Sequence, residues 1–145
     1  MGIRFNHMEI TFPVGSLTDE FCGEVASFYG DVFGFEAKPG RMFDQRCQTL
    51  RTPDGDFLLL IEGPEPMSAP GFDHLGFRMG TRDEVDVALA RIKAWREKDD
   101  RVQIQEYPDG VLDDELYHAF YVRHLLPIWF DVQHVVPAPT ATSST

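Results

Sequence analysis

Two histidines and one aspartate in this chain have residue types that suit metal binding or acid–base chemistry. His7 and His74 stand at matching places near the start of two predicted strands. Neutral imidazole is the commonest metal ligand in proteins and the usual proton donor or acceptor near neutral pH. Asp131 interrupts an apolar strand-like segment, residues 128–132, where an unpaired carboxylate would be costly to bury. We therefore expect a metal ion or a cationic partner beside Asp131.

The elements that must position these residues follow one order twice. Alternation of apolar and polar residues predicts strands, and apolar residues at helical spacing predict one helix in each half. A capping box at Thr81 and Glu84 marks the start of the second helix, and Gly34 suits the end of the first. The predicted order is strand 6–12, helix 18–33 and strands 35–38, 46–51 and 57–61, then strand 72–79, helix 81–98 and strands 102–107, 117–123 and 128–135.

The chain thus reads as two βαβββ modules in one α+β domain. Module one covers about residues 5–63 and module two about 72–136, with a boundary in the proline-rich connector near residues 64–70. The single domain is expected to span residues 1–136. Residues 137–145 are rich in Pro, Ala, Thr and Ser, a composition that predicts a disordered tail.

Composition excludes several classes of partner. The 145 residues include 13 Lys and Arg against 24 Asp and Glu, which gives a net charge of −11. Nucleic-acid binding and binding to anionic membranes need a basic surface, so we expect neither. No secretory signal or membrane-spanning segment is predicted, and the two cysteines form no paired motif. We expect a cytoplasmic protein that acts on a small molecule.

Five short motifs, in their order and spacing, resemble the vicinal oxygen chelate superfamily, which includes glyoxalase I, type I extradiol dioxygenases, fosfomycin-resistance enzymes, methylmalonyl-CoA epimerase and bleomycin-binding proteins. The resemblance covers about residues 5–136. It implies that the two βαβββ modules form an open half-barrel around a metal site, and it implies a homodimer. The motifs are NHMEITF, FYGDVFGF, TPDGDFLLLIEG, FDHLGFRM and FYVRHLLPIWFDVQ.

The resemblance also implies a ligand set at inward-facing positions of the first and last strands of each module. These positions carry His7, His74 and Asp131 here, whereas the fourth is Leu59, where a four-ligand glyoxalase-like site has Glu or Gln. Glu62 should face the other side of its strand and is not included. Two imidazoles and one carboxylate leave coordination positions open, as in non-haem Fe(II) sites. The implied cofactor is a divalent metal ion, with Fe(II) favoured and Mn, Zn or Ni as alternatives.

The extradiol dioxygenases resemble this pattern most. They carry an active-site Tyr ten residues before the carboxylate ligand, and Tyr121 stands at that distance from Asp131. Their acid–base His lies nine residues before that Tyr, a position that Leu112 occupies here. His118 is the other candidate for this role, although its strand parity is opposite to that of Tyr121.

The sequence predicts an Fe(II) extradiol-dioxygenase-like enzyme that acts on a catechol or a related small oxygenated aromatic molecule. The alternative among enzymes is a lyase, isomerase or epimerase in which the same metal ion stabilises an enediolate. Two alternatives without catalysis also stay open. One is a drug-binding resistance protein with an aromatic cleft, and the other is a family member that has lost its metal.

Overall fold

The computed structural model describes residues 2–140. The chain divides into two compact units, with the boundary between Ser68 and Ala69, inside the predicted connector. Each unit contains one helix and one open mixed sheet, which confirms the α+β class and the two βαβββ modules. That the modules jointly enclose a metal, and that they form one domain, stay predictions. Neither helix among residues 2–140 is long and apolar enough to cross a membrane.

The first unit places its helix against one face of a four-stranded sheet. The sheet order is β1-β4-β3-β2, and only β1 and β4 are parallel. The Phe12 and Phe21 rings contact each other, so the even-numbered residues of β1 face the helix. The odd-numbered residues, which include His7, therefore lie on the opposite face. The elements are β1 (His7–Phe12), α1 (Asp19–Phe33), β2 (Glu36–Met42), β3 (Gln45–Arg51) and β4 (Phe57–Glu62).

The second unit repeats this arrangement with one strand divided. Its sheet order is β5-β9-β8-β6, and β7 also pairs with β8. The capping box at Thr81 and Glu84 is confirmed, because each side chain bonds the other's backbone N–H. The elements are β5 (His74–Arg78), α2 (Arg82–Lys98), β6 (Gln103–Glu106), β7 (Gly110–Leu112), β8 (Glu115–Arg123) and β9 (Trp129–Pro137).

Strand β2 is longer than predicted. It continues through Pro39 and Gly40 to Met42, where the sequence suggested a break. Because β2 is an edge strand, a proline there removes no ladder hydrogen bond from a second neighbour. The chain then reverses at Phe43 and Asp44, which both have positive φ (51° and 60°), as a tight two-residue hairpin requires.

Strand β7 was not predicted. Its three residues are too few to show an alternating pattern, and the chain turns directly after them at Asp113 and Asp114 (φ 50° and 60°). Both β6 and β7 pair with β8, so together they take the place that β2 has in the first unit. Residues 107–109 separate β6 from β7.

The ordered chain also extends beyond the predicted start of the tail. Strand β9 ends at Pro137, and the N–H of Ala138 donates to the Asp114 carbonyl at 2.8 Å. The rest of the predicted tail, residues 141–145, lies outside the described residues.

Candidate functional site

Three of the five predicted site residues come together on the second sheet, on the face opposite α2. Asp131 on β9 is paired in register with Tyr121 on β8 and with Gly76 on β5, two residues after His74. The His74 Nε2 lies 3.8 Å from the Asp131 Oδ2. The His74 and Tyr121 rings meet edge to face, with centroids 5.0 Å apart. Strand register thus assembles an imidazole, a carboxylate and a phenol.

The orientation of His74 suits a metal ligand. Its Nδ1 lies 2.7 Å from the carbonyl oxygen of Phe72, which can only accept, so this nitrogen carries the proton. In the neutral ring the Nε2 then keeps its lone pair on the side of Asp131. Metal-binding histidines are commonly fixed in this way, by donating from the other ring nitrogen to a carbonyl.

Asp131 carries an uncompensated oxygen. Its side chain is only 13% exposed, and its Oδ1 is buried with no hydrogen-bond partner among residues 2–140. Burial raises the pKa of the carboxyl group, while the neighbouring His74 and a hydrogen bond from Tyr121 act against that shift. A buried acceptor without a partner is destabilising. A metal ion that bound the His74 Nε2 and the Asp131 carboxylate, including its Oδ1, would relieve this cost. The 3.8 Å between Nε2 and Oδ2 is within the span of two ligands at about 2.0–2.2 Å each.

Tyr121 is placed to donate a hydrogen bond. Burial raises the pKa of its phenol, and the Asp131 charge and the hydrogen bond to Asp131 raise it further. The hydroxyl therefore keeps its proton at neutral pH. The Tyr107 ring meets the Tyr121 ring edge to face at 5.4 Å, so two aromatic rings stand beside the carboxylate.

A cleft of about 480 Å³ opens on this cluster. Its lining is mostly apolar and aromatic, and among residues 2–140 it includes neither Lys nor Arg. Leu112 belongs to it, so the position at which extradiol enzymes have their acid–base His is apolar here. The lining residues are His74, Tyr107, Pro108, Gly110, Val111, Leu112, Tyr117, Ala119, Tyr121 and Asp131.

Tyr107 is a site residue that the sequence reading missed. The predicted strand 102–107 ends on it, but the structure places it in the connection of residues 107–109 between β6 and β7, which borders the cleft. The signal that was available is the turn sequence Tyr-Pro-Asp-Gly directly after a strand.

His7 lies in the first unit, on the exposed start of β1. Its Nδ1 is 2.7 Å from the Asn6 Oδ1, and its ring stacks on Phe57 with centroids 4.9 Å apart. As with His74, an oxygen acceptor at Nδ1 leaves the Nε2 lone pair available. Within each unit, the described residues contain no group of three or more His, Cys, Asp or Glu side chains placed to hold a metal ion. The three-ligand set therefore stays a prediction.

The register supports the matching of Leu59 with Asp131. Leu59 is paired with Glu9, two residues after His7, just as Asp131 is paired with Gly76, two residues after His74. Leu59 is buried and apolar. Glu62 faces the other side of β4, where its Oε2 accepts a hydrogen bond from the Leu17 N–H at 2.9 Å.

His118 is not brought to the cleft. It lies on the α2 side of β8, where its Nε2 is 2.6 Å from Asp86 Oδ1 and its Nδ1 is 2.8 Å from Asp109 Oδ1. Tyr121, three residues later, points to the other face because side chains alternate along a strand. The structure therefore does not place His118 among the residues that line the cleft, contrary to what a catalytic role there requires.

The comparisons with known proteins agree with the fold. No protein-family model and no curated protein matches the sequence. Among solved structures, the fosfomycin resistance protein FosX from Listeria monocytogenes, complexed with Mn(II) and sulfate, is 16% identical with a TM-score of 0.63, over 97% of this chain and 94% of that chain. A glyoxalase/bleomycin resistance protein/dioxygenase domain from Frankia is 15% identical with a TM-score of 0.59, over 92% and 97%. A virulence protein from Salmonella typhimurium is 21% identical with a TM-score of 0.58, over 94% and 99%. The chain therefore has the fold of the vicinal oxygen chelate superfamily.

Proposed function

We propose that this protein is a divalent-metal-dependent enzyme that acts on a small, uncharged oxygenated aromatic molecule of the catechol type. One observation carries the proposal. A buried carboxylate with an unpartnered oxygen, Asp131, stands 3.8 Å from the free Nε2 of His74. This pair faces a largely apolar cleft.

Each residue has a distinct part in the proposed reaction. His74 and Asp131 would supply two ligands, and His7, whose Nε2 is available, is kept as the third ligand that the sequence predicts. A divalent ion held there would bind two adjacent substrate oxygens and lower their pKa. Tyr121 donates a hydrogen bond to the substrate oxygen on which negative charge develops. Tyr107 offers an aromatic surface to the substrate ring.

The cleft favours an uncharged substrate. Lys and Arg are missing from its lining among residues 2–140, and the whole chain carries a net charge of −11. The described lining offers a phosphonate or carboxylate no basic side chain, so only the bound ion itself would compensate its charge. One FosX structure holds a dihydroxypropylphosphonic acid with Mn(II). That kind of anionic ligand does not suit the cleft described here.

Among the possible reactions, Fe(II)-dependent ring-cleaving dioxygenation is favoured. Leu59 occupies the position at which a fourth ligand would stand, so the proposed set of two His and one Asp leaves positions for both a substrate and oxygen. A lyase or isomerase that uses Mn, Zn or Ni is the alternative. A homodimer, implied by the resemblance, is part of the proposal and is tested by sedimentation.

The test is oxygen consumption by iron-loaded protein. Protein purified without oxygen is loaded with Fe(II), its iron content is measured, and a panel of catechols is added while oxygen and ring-opened yellow product are followed. We expect oxygen uptake by the wild type, none by Asp131→Asn, and wild-type uptake by Asp99→Asn, a matched change outside the cleft. With iron verified, fluorescence quenching by catechols without any turnover would contradict the enzyme and favour a binding protein.

A further inference from the structure

His118 contacts two carboxylates at once, and they belong to different elements. Asp86 lies on α2, whereas Asp109 lies between β6 and β7. Carboxylates accept hydrogen bonds, so both ring nitrogens donate when both contacts are made, and the ring is then a cation. Burial alone lowers the pKa of His118, but its hydrogen bonds to Asp109 and Asp86 outweigh that effect and the net pKa is raised.

Asp109 also forms an ion pair with Arg82, the first residue of α2. The Arg82 Nη1 donates to the Asp109 Oδ2 at 2.6 Å. Hydrogen bonds from Arg82 and His118 lower the pKa of Asp109, so this carboxylate stays ionised at neutral pH. A further titratable neighbour is His134 on β9, which is paired with His118 across the sheet and whose Nδ1 contacts the Met79 carbonyl.

The segment that Asp109 anchors forms one wall of the cleft. We call residues 107–110 the wall segment. Tyr107, Pro108 and Gly110, all in this segment, line the cleft, and the Tyr107 ring stands edge-on to Tyr121. Tyr107 is 51% exposed, so its own packing fixes it weakly. Strands β6 and β7 hold the two ends of the wall segment, and the side chain of Asp109 adds an anchor to α2 between them.

We propose that His118 is a positioning residue: by bridging Asp86 and Asp109 it fixes the wall segment to α2 and so holds Tyr107 against Tyr121. Its effect reaches the cleft through the backbone between Asp109 and Tyr107, because His118 itself lies on the other face of β8. The role in ligand binding rests on the proposed function of the cleft. The position of the wall segment does not, and it can be measured without any ligand.

The test is amide hydrogen exchange in metal-free protein at pH 7. In His118→Gln we expect amides within residues 106–112 to exchange about 3–10-fold faster, and those of α2 to exchange at the wild-type rate. His134→Gln is the matched control, since it removes a half-buried histidine from the neighbouring strand without touching the wall segment. It should leave residues 106–112 unchanged.

A second variant, Asp109→Ala, removes the carboxylate that His118 contacts. It tests the proposal if His118→Gln fails to fold. It should produce the same local acceleration. An unchanged rate in a folded His118→Gln overturns the proposal, as does acceleration spread over α2 and β9, which would reflect general destabilisation. Acceleration in Asp109→Ala together with wild-type rates in His118→Gln also overturns it, because Arg82 would then be the anchor.

Binding of catechol, followed by fluorescence, separates this proposal from the proposed function. His118→Gln should raise the Kd for catechol about 3–10-fold, and in turnover it should raise KM with kcat changed less than about twofold. Wild-type protein that does not bind catechol would contradict the proposed function, while the exchange result would still decide the role of His118.

Discussion

Replacing Asp131 with Asn should raise the melting temperature of the metal-free protein and remove its stabilisation by metal. The Asp131 Oδ1 is buried without a partner among residues 2–140, so in the absence of an ion this carboxylate lowers the stability of the fold. Asn has the same size, and its amide can donate to the His74 Nε2, which the bond from His74 Nδ1 to the Phe72 carbonyl leaves unprotonated. The substitution removes a dehydrated charge and opens no cavity.

The size of the effect follows from the charge that the substitution removes. A buried acceptor without a partner costs about 1–3 kcal/mol when neutral and more when charged, so removing the charge while the amide oxygen stays should recover about 1–3 kcal/mol. For a chain of this length, about 1 kcal/mol shifts the melting temperature by roughly 3–4 °C. Asp131→Asn should therefore raise the melting temperature in a chelator by about 3–12 °C.

Asp99→Asn is the matched control with the opposite expected sign. Asp99 receives hydrogen bonds from the Arg101 side chain, one of them at 2.7 Å, and this partner lowers the pKa of Asp99 to about 2. Neutralising a carboxylate that is paired and ionised removes a favourable interaction. The Asp99 side chain is only 19% exposed and its Oδ2 also lies 3.5 Å from the Nε2 of the buried His124, so the melting temperature should fall.

The assay is thermal unfolding at pH 7, first in EDTA and then with excess divalent metal. Wild-type protein should gain about 2.7 kcal/mol at a metal concentration of 100 Kd, and Asp131→Asn should gain almost none. If Asp131→Asn instead lowers the melting temperature in EDTA as Asp99→Asn does, the carboxylate is a partner in the metal-free fold. The argument for an ion at Asp131 would then fail.

The other predictions concern the remaining site residues and His118. His74→Ala and His7→Ala should each weaken metal binding as measured by titration, and a double variant that keeps stoichiometric metal would place the ion elsewhere. Tyr121→Phe should lower kcat by about 10²–10³ at unchanged metal content, because it removes a donor that acts as charge develops; an unchanged kcat with a lower melting temperature rejects that role. The raised pKa of His118 means that its stabilisation is fully present below its unfolded pKa of about 6.5 and is lost as pH rises through the higher folded pKa. The difference in melting temperature between wild type and His118→Gln should therefore shrink at alkaline pH, and a constant difference would contradict the assignment.

Periodicity along the sequence could locate the elements because each sheet has one face against a helix. That face imposes alternation on β1 and helical spacing on α1, and both follow directly from burial. The predicted strand 35–38 ends before Pro39, whereas β2 continues to Met42, because a proline is tolerated on an edge strand and the sequence does not say which strand is the edge. Strand β7 forms by pairing with the long strand β8. This cause lies in the tertiary structure, so the sequence of its three residues gives no sign of it.

The candidate site could be predicted in part for a related reason. Strand parity alone separated His118 from Tyr121, and the structure places them on opposite faces of β8. The distance between His74 and Asp131 depends on the pairing of β5 with β9, which no local pattern encodes. Tyr107 depends in addition on a turn that is held from outside, by Asp109, so its own sequence context gives little sign of its place at the cleft.

The two modules carry a carboxylate on different strands at equivalent paired positions of their sheets, two residues after the first-strand histidine. In the first sheet Glu9 is paired with Leu59, and in the second Gly76 is paired with Asp131. Glu9 stands on an edge strand and is exposed, so water compensates its charge. Asp131 stands on β9, between β5 and β8, and is dehydrated by strands on both sides. Of these two carboxylates, only Asp131 is buried with an oxygen that has no hydrogen-bond partner among residues 2–140. This asymmetry is the physical reason to propose Asp131, and not Glu9, as a metal ligand.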